Sequence, residues 1–410
     1  MRLVMIVPRF PQLPETFIVN KFVGLVDAGW DVHIVCQRES DVPWDIFTAL
    51  QNRPDLRERV HTQWPHDSGA LAALLWLPAF LATLLRAPQA TWDYLRHGWQ
   101  TSGARVFKQF YLDAGIVALA PDLIHFEFGT LAVGRTYLKR SLGCCLTASF
   151  RGYDLSYVGL ENPDFYRDVW QDADALHLLG EDLWQRALSR GCPPEMPHVL
   201  IPPAIDISYF AGDPQERDTV TISMERPLRI VSVGRLKWVK GYEYALEAMA
   251  ALREMGVPFE YHVVGGGDYL EALCFTRHQL DLDETVHFLG PRPHAVVIEE
   301  MLWADVFLHS AVSEGFCNAV LEAQAMQLPV VSSDADGLPE NVQDGVTGLI
   351  VPRRDPVAAA DSLACLAADP ALRHTMGRAG RERVARYFQL PDQITAFDEF
   401  YRTVTDGHGH

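Results

Sequence analysis

The sequence has no CxxC pair and no zinc-finger spacing of cysteines and histidines. Its seven cysteines are an odd number scattered along 410 residues, and Cys144 and Cys145 are adjacent and poorly placed to bridge each other. A disulfide framework is therefore excluded, and a reducing, cytoplasmic compartment is expected. Basic residues are scarce, 35 against 53 acidic ones for a net charge of −18, which excludes duplex DNA or bulk RNA as a partner because phosphate binding needs a basic face. No signal peptide is expected, since MRLVMIVPRF is too short for a secretory apolar region and is followed by no small-residue cleavage site. No G-x-G-x-x-G fingerprint opens a helix after a strand, which disfavours a dinucleotide-dependent dehydrogenase.

What is present suffices for two sizeable cores. The chain is 48% hydrophobic and 21% charged, and its length is comfortable for two domains. Charge is uneven: residues 1–200 carry 18 basic and 22 acidic side chains, residues 201–410 carry 17 and 31, and residues 51–150 are locally basic with 10 against 7. The apolar stretch Ala70–Leu85 is sixteen residues long, contains Pro78 and falls short of the roughly 20 residues that span a bilayer. It reads as a core helix or helical hairpin. The alternative is a monotopic membrane contact, because Arg86, Arg96, His97, Arg105 and Lys108 follow it.

Short apolar runs alternate with helical segments twice along the chain. The first series predicts strands at Leu3–Val7, Asp31–Cys36, Leu123–Phe126, Leu146–Ser149, Ala175–Leu178 and Val199–Ile201, with a helix over Thr16–Ala28. After a polar linker, Ala211–Pro227, the second predicts strands at Leu228–Val233, Phe259–Val264, Val286–Leu289, Val306–Leu308, Val330–Ser332 and Gly348–Val351. Helices are predicted over Tyr242–Met255 and Ala319–Ala325, and a helical tail from Pro356 to about Thr405. Such alternation indicates doubly wound parallel sheets, whose ligands bind at the carboxyl ends of the strands. A cleft between the two domains is the expected site.

Four segments carry chemistry. In Ser232-Val-Gly-Arg-Leu-Lys-Trp-Val-Lys-Gly241 a strand ends, Gly234 turns, and Arg235 and Lys240 follow before a helix opens, which reads as an anion site, the alternative being a solvated basic patch. Val263-Val-Gly-Gly-Gly-Asp268 lets backbone approach a phosphate or planar group, or is simply a turn. In Ser313-Glu-Gly-Phe-Cys-Asn-Ala-Val-Leu-Glu-Ala323, Glu314 lies in the loop and Glu322 about one turn into the helix. Carboxylates there suit vicinal sugar hydroxyls, and the free N–H groups suit phosphate. The fourth, Ser333-Asp-Ala-Asp-Gly-Leu-Pro-Glu340, is a turn-rich loop after a buried strand that names no reaction by itself.

In this order, G-R-L-x-x-x-K-G, V-G-G-G, S-E-G-F-x-N-x-x-L-E-A and G-L-P-E-x-V-x-D-G resemble the nucleotide-sugar half of the retaining glycosyltransferases of family four over most of residues 228–385. In the front half P-x-x-x-E-T-F-I, I-H-F-E-F, R-G-Y-D and P-A-I-D resemble the subgroup that builds bacterial exopolysaccharide, capsule or lipopolysaccharide. The resemblance implies the α/β GT-B fold, two facing Rossmann-like doubly wound parallel-sheet domains with an inter-domain cleft. The implied parts are an acceptor-binding domain over 1–205, a nucleotide-sugar domain over 206–386, and a C-terminal segment over 387–410 whose helix packs back on the first domain.

By the same resemblance, Arg235 and Lys240 would hold the donor diphosphate and stabilise the leaving group. Glu314 would bind hydroxyls of the donor sugar beside the amides of Gly315, Phe316, Cys317 and Asn318, and Glu322 would bind the ribose, with Leu321 alongside. Gly234, Gly265, Gly266 and Arg292 would lie near the base and diphosphate, Glu15 and Thr16 on the acceptor side. No cofactor or metal is implied beyond the nucleotide diphosphate sugar itself. The chain departs from the pattern at Arg151, where many relatives carry histidine; an arginine cannot serve as a base and would hold a phosphate or hydroxyl. It departs again at Cys317, a position usually small or proline, and at Asp336, where glycine is common. The expected activity is retaining transfer of a hexose-type unit to a glycan or lipid-linked acceptor, in the cytoplasm or in peripheral contact with the inner face of the plasma membrane through residues 70–108. The alternatives are a soluble synthase of a small glycoside and a catalytically silent nucleotide-sugar-binding subunit.

Overall fold

The computed structural model describes residues 1–12, 15–64, 69–210 and 221–407. Leu13 and Pro14 of the N-terminal loop, residues 211–220 of the expected linker, and His408 and His410 lie outside them. The chain divides into two units, Met1–Ile201 with Ile394–His410, and Pro202–Gln393.

The first unit holds a sheet of seven strands among the described residues: β1 (Arg2–Phe10), β2 (Asp31–Glu39), β3 (Val60–Thr62), β4 (Leu123–Phe126), β5 (Cys145–Phe150), β6 (Ala175–Leu178) and β7 (His198–Leu200). Their order is β3-β2-β1-β4-β5-β6-β7 and every pairing is parallel. The central strands read as continuous apolar runs because helices cover both faces, which is why the sequence shows them so plainly. Strand β3 is three residues long at the sheet edge, with no buried residue, so it leaves no apolar run to read. Leu3, Met5, Val32 and Ile34 pack with Ile18, Phe22 and Leu25 of the helix Thr16–Asp27. Phe397, Phe400 and Tyr401 of the helix Leu390–Asp406 join the same core, and the Trp30 Nε1–H donates to Asp398 Oδ1 at 2.6 Å.

The apolar stretch forms one helix, Gly69–Arg86, that runs through Pro78. It corrects the expectation of a core helix or hairpin, since Ala79 and Thr83 are its only buried residues. Leu71, Leu74, Leu77, Leu81 and Leu85 recur at helical spacing and stand exposed, Leu85 by 85%. The opposite side is held by an aromatic group in which Trp76 stacks on Phe80, both rings meet Phe110, and the Trp76 Nε1–H donates to the Phe107 carbonyl at 2.7 Å.

The second unit contains β8 (Leu228–Val233), β9 (Phe259–Val264), β10 (Val286–Gly290), β11 (Val306–His309), β12 (Val330–Ser333) and β13 (Gly348–Val351), ordered β10-β9-β8-β11-β12-β13 and parallel throughout. Leu228, Ile230, Tyr261, Val263, Val306 and Leu308 form its core with Leu246, Met249 and Leu252 of the helix Tyr242–Glu254. Burying each such side chain stabilises by roughly 1.5–3 kcal/mol. The helical tail is three helices, Pro356–Ala368, Pro370–Tyr387 and Leu390–Asp406. The first two start where Asp-Pro dictates: Asp355 and Asp369 accept the N–H groups of Ala358 and Leu372, and proline occupies the first helical position. In each sheet the strand order reverses, between β1 and β4 and between β8 and β11. Open α/β sheets bind ligands just beyond such a point.

Candidate active site

The reversal in the second unit gathers the charged residues of two sequence motifs. Beyond β8 the chain turns at Gly234, passes the exposed Arg235, and winds through a short 3-10 turn, Trp238–Lys240, into Gly241. Gly241 has φ of 59°, and a side chain there would collide with the Ser310 carbonyl, so only glycine brings this loop against the end of β11. The Ser310 hydroxyl donates to the Gly241 carbonyl at 2.9 Å and the Val312 N–H to the Val239 carbonyl at 2.8 Å, which fastens the two loops together.

That fastening places Lys240 Nζ in an ion pair with Glu314 Oε2, and His309 Nε2, at the end of β11, 3.3 Å from the same oxygen. Burial pushes the Glu314 carboxyl up, but the Lys240 ammonium and His309 outweigh it and hold the group at about 2. Burial pulls His309 down, but the Cys317 sulfur and Glu314 outweigh it and raise the imidazole to about 9. Lys240 stays above its ordinary value because Glu314 and Cys317 overcome its desolvation. Lys240 and His309 thus share the Glu314 carboxylate beside the helix Asn318–Ala325, whose first N–H groups have no partner within the helix. Such an arrangement attracts a diphosphate and stabilises it on departure.

The Glu314 loop has its own support. Asp336 accepts hydrogen bonds from the Ser313 hydroxyl and from the Glu314 N–H (3.2 Å), while Arg353 donates to its second oxygen at 2.8 Å. Its φ of 54° explains why glycine suits this position, and the carboxylate gives this chain an anchor that glycine lacks. Cys317 is buried at the helix N-cap, where Asn341 clamps its backbone by accepting its N–H at 3.0 Å and donating to its carbonyl at 3.1 Å. Gly315, Phe316 and Leu321 are buried around it and Phe316 packs on Phe388. Asn318 opens the helix, and Glu322 lies on its second turn, 4.0 Å from His294 Nε2, with burial pushing its carboxyl up to about 7.

The glycine loop sits beside Gly234. Gly265 has φ of 148°, a side chain on it would strike the Gly234 carbonyl, and its N–H donates to the Gly290 carbonyl at 3.0 Å. Gly266 accepts from the Leu236 N–H at 3.0 Å, and Arg292 is exposed after β10. The second unit therefore brings together Lys240 and Glu314, with Gly234 against Gly265. Glu15, Thr16 and Arg151 belong to the first unit. Glu15 and Thr16 start the helix Thr16–Asp27. Arg151, after β5, donates to Glu127 Oε2 at 3.1 Å and to the Glu127 carbonyl at 3.2 Å, and its guanidinium lies 4.0 Å from the Phe17 ring centre.

Sequence reasoning missed His309, Asn341 and the anchoring role of Asp336. His309 had one signal, a polar residue closing the buried run Val306–His309; the other two act across the fold.

A family model described as glycosyl transferases group 1 matches residues 215–383. The amylovoran biosynthesis glycosyltransferase AmsK of Erwinia amylovora is 30% identical over 378 residues, 88% of this chain and 89% of that protein. A colanic acid biosynthesis glycosyltransferase, WcaL, of Escherichia coli K12 is 30% identical over 380 residues, 87% of this chain and 88% of its own. Among solved structures, the Anabaena HepE protein in complex with UDP-glucose superposes with a TM-score of 0.72 at 15% identity, over 98% of this chain and all of the other. Sucrose-phosphate synthase from Thermosynechococcus elongatus gives 0.71 at 19% identity, over 99% of this chain and 100% of that one. With a two-sheet architecture of the GT-B type and relatives matched along nearly their whole length, this chain belongs to the group 1 glycosyl transferases.

Proposed function

We propose that the chain transfers a hexose-type unit from a nucleotide diphosphate sugar to a glycan or lipid-linked acceptor during assembly of a bacterial surface polysaccharide, with retention at the anomeric carbon. The observation that carries this is the Lys240–Glu314–His309 cluster at the strand-order reversal of the second unit. Lys240 and Arg235 neutralise the donor diphosphate. Glu314, kept ionised by its two cationic neighbours, accepts hydrogen bonds from donor-sugar hydroxyls. Glu322 accepts from the ribose hydroxyls, and Gly265, Gly266 and Arg292 line the base and diphosphate side. In the transfer the bond from the anomeric carbon to the diphosphate oxygen breaks and a bond to the acceptor oxygen forms on the same face. The acceptor's proton leaves with the departing phosphate oxygen. Arg151, Glu15 and Thr16 serve the acceptor side; the Glu127 carboxylate fixes the Arg151 guanidinium.

A thermal-shift panel of nucleotide diphosphate sugars tests this reading. One sugar nucleotide at about 100 times its dissociation constant should stabilise the chain by roughly 2.7 kcal/mol. The anomeric coupling of the product of that donor, read by NMR, should match the donor's; an inverted product overturns retention. No shift with any donor overturns the assignment of the site.

The reading includes work at the inner face of the membrane. The exposed leucine stripe of the helix Gly69–Arg86, the exposed Trp92, Trp99 and Phe107, and the exposed Arg86, Arg96, Arg105 and Lys108 combine apolar surface with positive charge, as an anionic lipid surface requires. The chain should sediment with anionic vesicles. Replacing Leu74, Leu77, Leu81 and Leu85 together by serine should abolish this; equal sedimentation of that variant would remove the helix from the membrane contact.

A further inference from the structure

On one face of the second unit's sheet the fold assembles two histidines and two carboxylates. Strands β9 and β10 pair in parallel with His262 opposite His287, and Glu260, two residues before His262, projects from the same face. Glu260 Oε1 lies 3.1 Å from His262 Nε2 and 3.8 Å from His287 Nε2, and one ligand atom from each of the three lies within 4.8 Å of the others. A tetrahedral zinc ion with bonds of about 2.0–2.2 Å sets its ligands roughly 3.4 Å apart, a spacing these three atoms straddle.

Behind this triad stands an orienting group. Glu300, on the helix His294–Trp303, lies 2.7 Å from His262 Nδ1, and Trp303 stacks on the imidazole at 3.8 Å with an interplanar angle of 7°. A carboxylate taking the N–H of one ring nitrogen fixes the tautomer and turns the lone pair of the other outward, as it does behind histidine ligands of metals. That nitrogen faces the Glu260 carboxylate, and either a proton on the ring or a metal ion joins the two. Among the described residues no lysine or arginine pairs with either acid: Glu260 and Glu300 make ion pairs with histidines alone, and the neighbouring Arg229 lies 5.4 Å from the Trp303 ring centre. All three ligands are partly exposed, by 15–39% of their side chains, so an ion can enter from solvent.

We propose that Glu260, His262 and His287 form a zinc site, with Glu300 as the orienting carboxylate and a water completing the tetrahedron. Two neutral imidazoles and a carboxylate suit Zn²⁺ and related first-row divalent ions rather than Mg²⁺ or Ca²⁺. The ion joins the edge strand β10 to β9 three residues before the Gly265 and Gly290 turns, so it braces the sheet beneath two donor-side loops without touching them.

The test uses the full chain, stripped with a chelator and titrated with Zn²⁺ by calorimetry, then with Co²⁺ by absorbance. One equivalent of Zn²⁺ should bind, raise the melting temperature, and be lost in His287→Ala and in Glu260→Gln. Glu300→Gln should weaken that equivalent by about 10–100-fold. The cobalt form should show ligand-field bands without a thiolate charge-transfer band. Unchanged zinc stoichiometry and melting shift in His287→Ala would overturn the site, as would the absence of stoichiometric binding in the parent chain. A thiolate band that survives His287→Ala, with no equivalent lost, would place the metal at His309, Glu314 and Cys317 instead and equally refute it.

Discussion

Lys240→Ala and Glu314→Ala each lower kcat/KM by about 10²-fold or more, the size expected when a preorganised charge is removed from a site that stabilises a leaving anion. The two losses differ in character. On the proposed roles, Lys240→Ala removes charge from the departing diphosphate and lowers kcat, and it leaves the Glu314 carboxylate with His309 as its remaining ion-pair partner among the described residues. By the same reading, Glu314→Ala removes an acceptor for the donor sugar and takes from Lys240 and His309 the carboxylate they share, so it weakens the donor sugar's hold more than the free nucleotide's. Steady-state kinetics with the donor identified by thermal shift separate the two, and near-normal turnover in both variants would sink the assignment. The pH dependence follows from the same neighbours. Glu314 is lowered from 4.5 to about 2, so its contribution to stability is complete above pH 4.5 and disappears as the pH falls toward 2. His309 is raised from 6.5 to about 9, so its contribution is complete below pH 6.5 and is lost as the pH rises through 9.

Glu127→Ala destabilises the first unit by about 3–5 kcal/mol, the cost of leaving buried charges without their partner. Glu127 is fully buried after β4 and pairs with both Lys21 and Arg151, and Lys21 is 3% exposed. Desolvation draws Lys21 down to about 8 even with Glu127 beside it, so removing the carboxylate strands an ammonium among apolar neighbours, including the Phe397 ring 4.2 Å away. Across a unit of this size the melting temperature should drop by on the order of 10 °C. Urea unfolding of Glu127→Ala and of Glu127→Ala/Lys21→Met checks this. The second substitution should recover a large part of the loss, because it removes the orphaned charge. A Glu127→Ala variant as stable as the parent would mean that the pair carries no stabilising weight.

The local grammar of the chain was legible because its determinants are contiguous. A strand doubly covered by helices must be apolar along its whole length, so β1, β4, β8 and β11 announce themselves. Asp-Pro starts helices, and glycine marks the turns of the loops at Gly241 and Gly265. Lys240 and Glu314 could be named from motifs, but 74 residues separate them, and their pairing depends on β8 lying beside β11. The helix Gly69–Arg86 was harder: its composition is that of a core helix, and the exposure of its leucine stripe is set by which neighbours the fold does and does not lay against it.

From sequence alone came the doubly wound class and the glycosyltransferase family, together with the residues proposed for the donor side, since the motifs behind them are each complete within about ten residues. Tertiary structure decided what those residues experience. Strand register set His262 opposite His287, strand order set His309 and Lys240 on one carboxylate, and burial tied Lys21 and Arg151 to Glu127. Apart from His309 and Glu314, five positions apart, these contacts join residues 24 to 106 positions apart, and a pairing across that distance is fixed by the register and order of the sheets, which spacing along the chain does not encode.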